Sequence, residues 1–353
     1  MKTRYIFKKF GEAYLNKYNP NCIQKTTYKN IIACRTNAYG KHTYECKHCN
    51  HKITLYNSCK NRHCPVCQNY KKINWLNNQN KLNMECMHIV MVVPIKLRPI
   101  FYYNKETYDI LFDASIKALN KQDIGVTSIL HTWSQKGNFH PHIHMIVTKQ
   151  CLSNNRLKEI TYNIEKIKKN FKNNIFELLK DKKFTFYKDY EYLNDKDKLN
   201  KYLEEAKDEE FTCFIKDNNI ENTYEYLSEY IFKVWISDDR ILKITDKYVY
   251  FKYLDREINK EKVMKIKGEE FIKKYLMHVL PKNFVKVRHY GLFAGKNRNK
   301  RIKELKILLH IESKKTKTKQ AMLTEIMGKD ITRCPKCGGP LELVYKNKPP
   351  SKK

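Results

Sequence analysis

The chain has 353 residues, enough for two domains and a substantial core, and 41% of them are hydrophobic. Only 10 glycines and 10 prolines rule out a collagenous or linker-dominated protein. Lys and Arg number 70 against 37 Asp and Glu, a net charge of +33, which is best tolerated beside a polyanion: nucleic acid first, an anionic membrane surface second.

In chain order, residues 1–33 read as basic and helical, and 34–67 are dense in Cys and His. A basic helix-like bridge runs to about residue 84, and "CMHIVMVV" (86–93) reads as a buried strand. Helical spacing of Tyr108, Leu111, Phe112, Ile116 and Leu119 predicts a helix within 104–121. "VTSILHTW" (126–133) and "HIHMIVT" (142–148) read as strands reversed at Gly137-Asn138. Residues 155–182 predict a Lys-rich amphipathic helix, and 183–210, highly charged and poorly periodic, a mobile insertion. A strand at 210–217, a helix at 223–235 capped by Thr223, a hairpin at 240–258 and a helix at 269–280 follow. Past residue 295 the chain turns basic and loses apolar density. The most apolar run, "MHIVMVVPI", is far shorter than the ~20 residues of a spanning helix, and the N-terminus has no apolar secretory core. We therefore expect a cytoplasmic protein, in which 12 cysteines imply metal rather than disulfides.

The turns Cys46-x-x-Cys49 and Cys64-x-x-Cys67 can each aim two thiolates at one point, and together they predict a tetrahedral structural zinc site. Cys34, His42, Cys59 and His63 are candidates for a second one. A closed site of this kind serves folding and DNA docking, and Lys60 and Arg62 beside it suit phosphates. "CPKCGG" (Cys334, Cys337) is half of a zinc ribbon with no second pair after it. Its ligands would have to come from elsewhere in the chain or from a partner chain, if it binds metal at all.

On a strand, residues two apart share a face, so His142 and His144 point together while Ile143, Met145 and Val147 pack the other way. The Gly137 turn brings His131 opposite them as a third imidazole, with Gln135 and His140 as alternatives. Such a set can hold a divalent cation with open positions for a phosphate oxygen.

The His-hydrophobe-His strand resembles the HUH single-strand endonucleases. More narrowly, "YNSCKNRHCPVCQ", "LHTWSQKGNFHPHIHMIV", "YLSEYIFKVWISDDRI" and "HVLPKNFVKVRHYGLFA" resemble, in this order, the bacterial rolling-circle transposases of the insertion sequence 91 family, over residues 20–295. The resemblance implies two nucleophilic tyrosines in a Y-L-x-x-Y element, here Tyr226 and Tyr230, which lie i,i+4 on the predicted helix; Tyr224 falls on another face. It implies an α+β fold with a zinc-binding module at 1–80, an antiparallel catalytic sheet flanked by helices at 81–295, and a basic tail at 296–353. It further implies structural zinc, catalytic Mg or Mn, and cleavage of single-stranded transposon ends through a 5′-phosphotyrosine, in a nucleoid-associated enzyme. Lys216, Arg240, Lys282, Arg288 and His289 fall in the matched motifs, with DNA-positioning roles at best. A replication initiator or relaxase, and a non-catalytic zinc-dependent DNA-binding protein, are the competing readings.

Overall fold

The computed structural model describes residues 2–78, 85–120, 123–153, 156–220, 223–255, 258–296, 298–308, 318, 330 and 332–347. The rest of the stretch read as a basic tail, the end of the basic bridge at 79–84 and the side chain of Tyr224 lie outside that description.

The N-terminal region is α1 (Lys2–Tyr18), α2 (Cys22–Ala33), the strands β1 (Lys41–Cys46) and β2 (Lys52–Tyr56), and α3 (Pro65–Asn78). A capping box starts α2: Asn21 Oδ1 accepts from the Gln24 N–H at 2.9 Å, and the Gln24 side chain accepts from the Asn21 N–H. Then come β3 (Cys86–Val92), α4 (Arg98–Tyr103), α5 (Tyr108–Leu119), β4 (Ile124–Trp133), β5 (Phe139–Ser153), β6 (Arg156–Glu159), α6 (Ile164–Leu179), α7 (Lys196–Lys207), β7 (Thr212–Ile220) and α8 (Thr223–Ile231). The strands β8 (Ile241–Ile244), β9 (Tyr248–Asp255) and β10 (Lys260–Lys267) lead to α9 (Gly268–Met277), β11 (Val287–Gly291), α10 (Arg298–Leu308) and β12 (Leu341–Lys346).

The main sheet runs β11-β4-β5-β3-β7, with β6 also paired to β5, and every pairing is antiparallel. Strand alternation sorts its two faces. Ile143, Met145 and Val147 of β5 join Met87, Ile89 and Met91 of β3 in the core beneath α4 to α6. On the opposite face Ile129 and Ile146 pack with Leu227 of α8 and Leu305 of α10. His88, His131, His142 and His144 belong to that second face, because each lies an even number of positions from Ile129, Ile146 or their register partners.

The turn between β4 and β5 closes through Gly137 N–H to Ser134 O and Ser134 N–H to Asn138 O, both 3.0 Å. Gly137 has φ +74°, and a Cβ there would come within 2.3 Å of the Trp235 ring, so glycine is required twice over.

Three differences from the sequence reading have physical causes. Residues 183–210, expected to be mobile, form a short helical turn (Lys188–Asn194) and α7, with Phe186, Leu193 and Ala206 buried in the main core. These anchors are single apolar residues among charges, so they produce no periodicity. Within the predicted helix 155–182, β6 takes the first part and Asn163 caps α6, accepting from the Lys166 N–H at 2.9 Å. The predicted hairpin at 240–258 is present as β8 and β9, and β10 pairs with β9 to extend it to a three-stranded meander, β10-β9-β8. A second apolar cluster joins Ile6, Phe7 and Phe10 of α1 to Trp235, Phe251 and Phe271, so the stretch 6–67 shares its core with 235–279. Among the described residues no helix is long and apolar enough to cross a membrane.

Candidate active site and metal centres

Register places His131 directly across from His142, and the ring nitrogens of His131, His142 and His144 lie within 4.8 Å of one another. His142 Nε2 and His144 Nε2 are 3.1 Å apart, close to the ~3–3.5 Å spanned by two nitrogens on one small cation. The outward nitrogens fix the tautomers. His142 Nδ1 donates to the His140 carbonyl at 2.7 Å, and His131 Nε2 donates to the Tyr230 carbonyl at 2.9 Å. Lone pairs are therefore left on His142 Nε2 and His131 Nδ1. Burial, with His131, His142, His88 and Lys216 nearby, holds His144 neutral well below the usual imidazole range, and burial with Lys286 nearby does the same for His131. Three imidazoles converging, two of them held neutral and the outward nitrogens of His131 and His142 already satisfied, fit a divalent cation. His140, one of the sequence alternatives for third ligand, stands outside this cluster, although it and Gln135, the other alternative, line the same cleft.

The sequence reading missed His88. Burial pushes its pKa down to about 3, and it bridges two predicted groups: Nε2 is 2.8 Å from His144 Nδ1, and Nδ1 is 2.8 Å from the Tyr226 hydroxyl. With a cation on His144 Nε2, the proton sequence is fixed: His144 Nδ1–H donates to His88 Nε2, and His88 Nδ1–H donates to Tyr226. The available signal was a lone imidazole in an otherwise apolar strand, "CMHIVMV". It was read only as part of a strand.

Tyr226 and Tyr230 share one face of α8 as expected, with ring centroids 5.2 Å apart and hydroxyls at 3.4 Å. Tyr230 stands over the imidazoles, its centroid 4.8 Å from that of His144. It lines a cleft of about 370 Å³ together with His131, His142, His144 and Lys216. The Lys216 ammonium donates to the Tyr230 hydroxyl and sits 4.7 Å from its ring centroid. Lys216, selected from sequence only as a possible DNA contact, thus belongs to the centre itself.

Of the other basic candidates, Arg240 lines the same cleft, and the rest do not gather there. Arg240 spends its guanidinium on the carbonyls of Lys252, Trp235 and Gln135, which tie β9 to the β4–β5 turn. Arg288 is paired with Asp109 and stacks 4.2 Å from the Phe112 centroid. Arg62 donates to the Phe284 carbonyl at 2.6 Å, Lys60 is exposed in the loop before α3, Lys282 is exposed, and the His289 ring bonds the Thr127 hydroxyl.

The thiols pair differently from the expectation. Cys46-x-x-Cys49 and Cys64-x-x-Cys67 do not meet. Cys64 and Cys67 converge with Cys34 and Cys59, with Sγ separations of 3.7 Å for Cys34–Cys67 and 3.5 Å for Cys59–Cys67. Cys46 and Cys49 converge with Cys334 and Cys337. His42 and His63 stand outside both groups: His42 sits in β1 opposite Leu55 and Lys346, and His63 Nε2 accepts from the Leu280 N–H at 3.3 Å. The reason is the β1–β2 hairpin at 41–56, which places Cys46 and Cys49 at its turn, where they meet Cys334 and Cys337. Spacing alone cannot reveal that.

Thiol clusters fit for structural zinc, beside a histidine–tyrosine centre on an antiparallel sheet, define an α+β metalloprotein with a metal-binding head. Residues 125–301, half of the chain, match the family model described as "Putative transposase", and residues 6–95 match "Transposase zinc-binding domain". The chain is 29% identical to "Putative transposase y4qJ" of Sinorhizobium fredii, covering 94% of this chain and 92% of that one. It is 25% identical to "Transposase for insertion sequence element IS801" of Pseudomonas savastanoi pv. phaseolicola, covering 78% and 71%. No solved structure matches the chain. The chain belongs to the transposases of the insertion sequence 91 family. It is therefore a DNA-cleaving enzyme with a structural zinc-binding domain.

Proposed function

We propose that this transposase cleaves and rejoins single-stranded DNA at transposon ends through a 5′-phosphotyrosine intermediate, using Tyr226 and Tyr230 as nucleophiles. The observation that carries this reading is the continuous set of contacts from the three-imidazole cluster to both phenols. His131, His142 and His144 would hold the divalent cation, Mg or Mn, which when bound polarises a non-bridging oxygen of the scissile phosphate. A phenol is a poor nucleophile near neutral pH because its pKa is ~10, so groups that stabilise the phenolate matter. Each tyrosine has its own: Lys216 donates to Tyr230, and His88 Nδ1 donates to Tyr226.

In the reaction the tyrosine O–H gives up its proton to solvent as the oxygen bonds to phosphorus, the bond from phosphorus to the 3′ oxygen breaks, and that oxygen takes up one proton from solvent and leaves as a 3′-OH. The phosphodiester energy stays in the phosphotyrosine, so a 3′-OH can reverse the step without ATP. Because Tyr230 lines the cleft, it is the phenol poised for the first strand. Tyr226 then serves the second strand. The +33 net charge supplies the polyanion affinity, with nucleoid association as its cellular consequence.

The test is incubation with labelled single-stranded element ends and Mg²⁺ or Mn²⁺, read on a denaturing gel. Wild type should give a covalent adduct that EDTA abolishes, and Tyr226→Phe/Tyr230→Phe should give none. An undiminished adduct in the double variant would overturn the nucleophile assignment.

A further inference from the structure

The Cys334-x-x-Cys337 turn faces Cys46 and Cys49 with Sγ separations of 3.4 Å for Cys46–Cys337, 3.6 Å for Cys49–Cys334 and 3.4 Å for Cys49–Cys337. These are far beyond the ~2 Å of a disulfide and near the ~3.8 Å edge of a thiolate tetrahedron around Zn²⁺.

The two turns are also built alike. In each, the first cysteine's sulfur accepts from the N–H two residues on: His48 to Cys46 and Lys336 to Cys334, both at 3.4 Å. Its carbonyl accepts from the N–H four residues on, Asn50 at 3.0 Å and Gly338 at 2.9 Å. Its own N–H donates to the carbonyl five residues on, His51 at 3.0 Å and Gly339 at 2.7 Å. The fourth residue is left-handed in both, Asn50 at φ 55° and Gly338 at φ 75°. Amides aimed at sulfur stabilise thiolate, and two copies face one point. Half of this ligand set lies outside the matched zinc-binding segment, which ends at residue 95.

What else holds the C-terminal segment is thin. β12 pairs with β1 along Leu341–Lys346, yet Leu343, Val344 and Tyr345 stay 48%, 53% and 47% exposed. A small sheet with so little apolar burial is marginal by itself.

We propose that Cys46, Cys49, Cys334 and Cys337 bind a second structural Zn²⁺, separate from the ion at Cys34, Cys59, Cys64 and Cys67, and that it clasps residues 332–347 onto the N-terminal head. Binding free energy at such a site is folding free energy for the segments it joins.

Native mass spectrometry of the full chain tests the site, and hydrogen exchange tests the clasp. Cys334→Ser/Cys337→Ser should carry one zinc fewer than wild type. Its amides at 341–346 should exchange at least tenfold faster, while those of 86–92 and 142–148 keep wild-type protection and show that the fold survives. Chelation of wild type should reproduce the faster exchange at 341–346. An unchanged zinc count would overturn the site. Loss of the zinc with 341–346 still protected would overturn the clasp.

Discussion

His88 Nδ1 lies 2.8 Å from the Tyr226 hydroxyl, and the same ring reaches His144 through its other nitrogen. One buried imidazole thus sets the tautomer of a metal-ligand candidate and orients a nucleophile candidate. Groups that orient metal ligands are commonly worth about 10–100-fold in affinity or activity. His88→Phe fills the space without either hydrogen bond. It should lower Mn²⁺ affinity and the single-turnover rate of adduct formation within that range, with His88→Gln in between. Wild-type rates and affinity in His88→Phe would reduce His88 to a packing residue.

Lys216 provides a sharper test, because it touches one phenol and not the other. A hydrogen bond to a charged group is worth about 1.5–3 kcal/mol, or roughly 10–100-fold in rate. In a Tyr226→Phe background, where Tyr230 acts alone, Lys216→Ala should slow adduct formation by about that factor. In a Tyr230→Phe background the same change should have little effect on rate. Equal losses in both would mean that Lys216 serves DNA binding in general, and a filter-binding assay would show that loss directly.

His278 gives the stability a pH dependence. It is buried beneath the β4–β5 turn, with Nε2 3.2 Å from the Gly137 carbonyl and Nδ1 3.2 Å from the Thr132 hydroxyl. Burial pushes its pKa down to about 3 from 6.5. The folded state therefore stays neutral between those values while the unfolded state takes up a proton. Stability is full above pH 6.5 and falls as the pH drops below it, by about 2 kcal/mol at pH 5 from this group alone. Urea unfolding at pH 7 and pH 5 should show wild type losing that much more stability than His278→Gln. Parallel losses in the two proteins would sink the assignment.

The centre was legible where chemistry and period coincide. His142 and His144 alternate with Ile143 and Met145 on a strand, and the glycine turn fixes the register that delivers His131. Tyr226 and Tyr230 are four apart on a helix, and 25 tyrosines obscured them until the motif order was considered. His88 was hidden because its role depends on strand order: β3 lies beside β5 although β4 precedes β5 in sequence. The thiol grouping was hidden for the same reason, since proximity in sequence misassigned Cys46 and Cys49 to Cys64 and Cys67 rather than to Cys334 and Cys337. A lone arginine in a motif carries no sign of its neighbours, so the carbonyls that Arg240 engages and the carboxylate paired with Arg288 were not legible.

The charged segment 183–210 is the place where composition misled most, and Phe186 tests the correction. Its ring is 1% exposed, stacks edge-on to Tyr103 at 6.3 Å and belongs to the main core. Asn194 brackets it, accepting from the Phe186 N–H at 2.8 Å and donating to its carbonyl at 3.0 Å. Truncating a buried phenylalanine typically costs about 3–5 kcal/mol. Phe186→Ala should therefore lower the unfolding free energy by that much, with a matching fall in the denaturant midpoint, whereas Tyr187→Ala, at a residue 58% exposed one position away, should cost well under 1 kcal/mol. Similar midpoints for the two variants would mean that the segment does not pack against the sheet domain in solution.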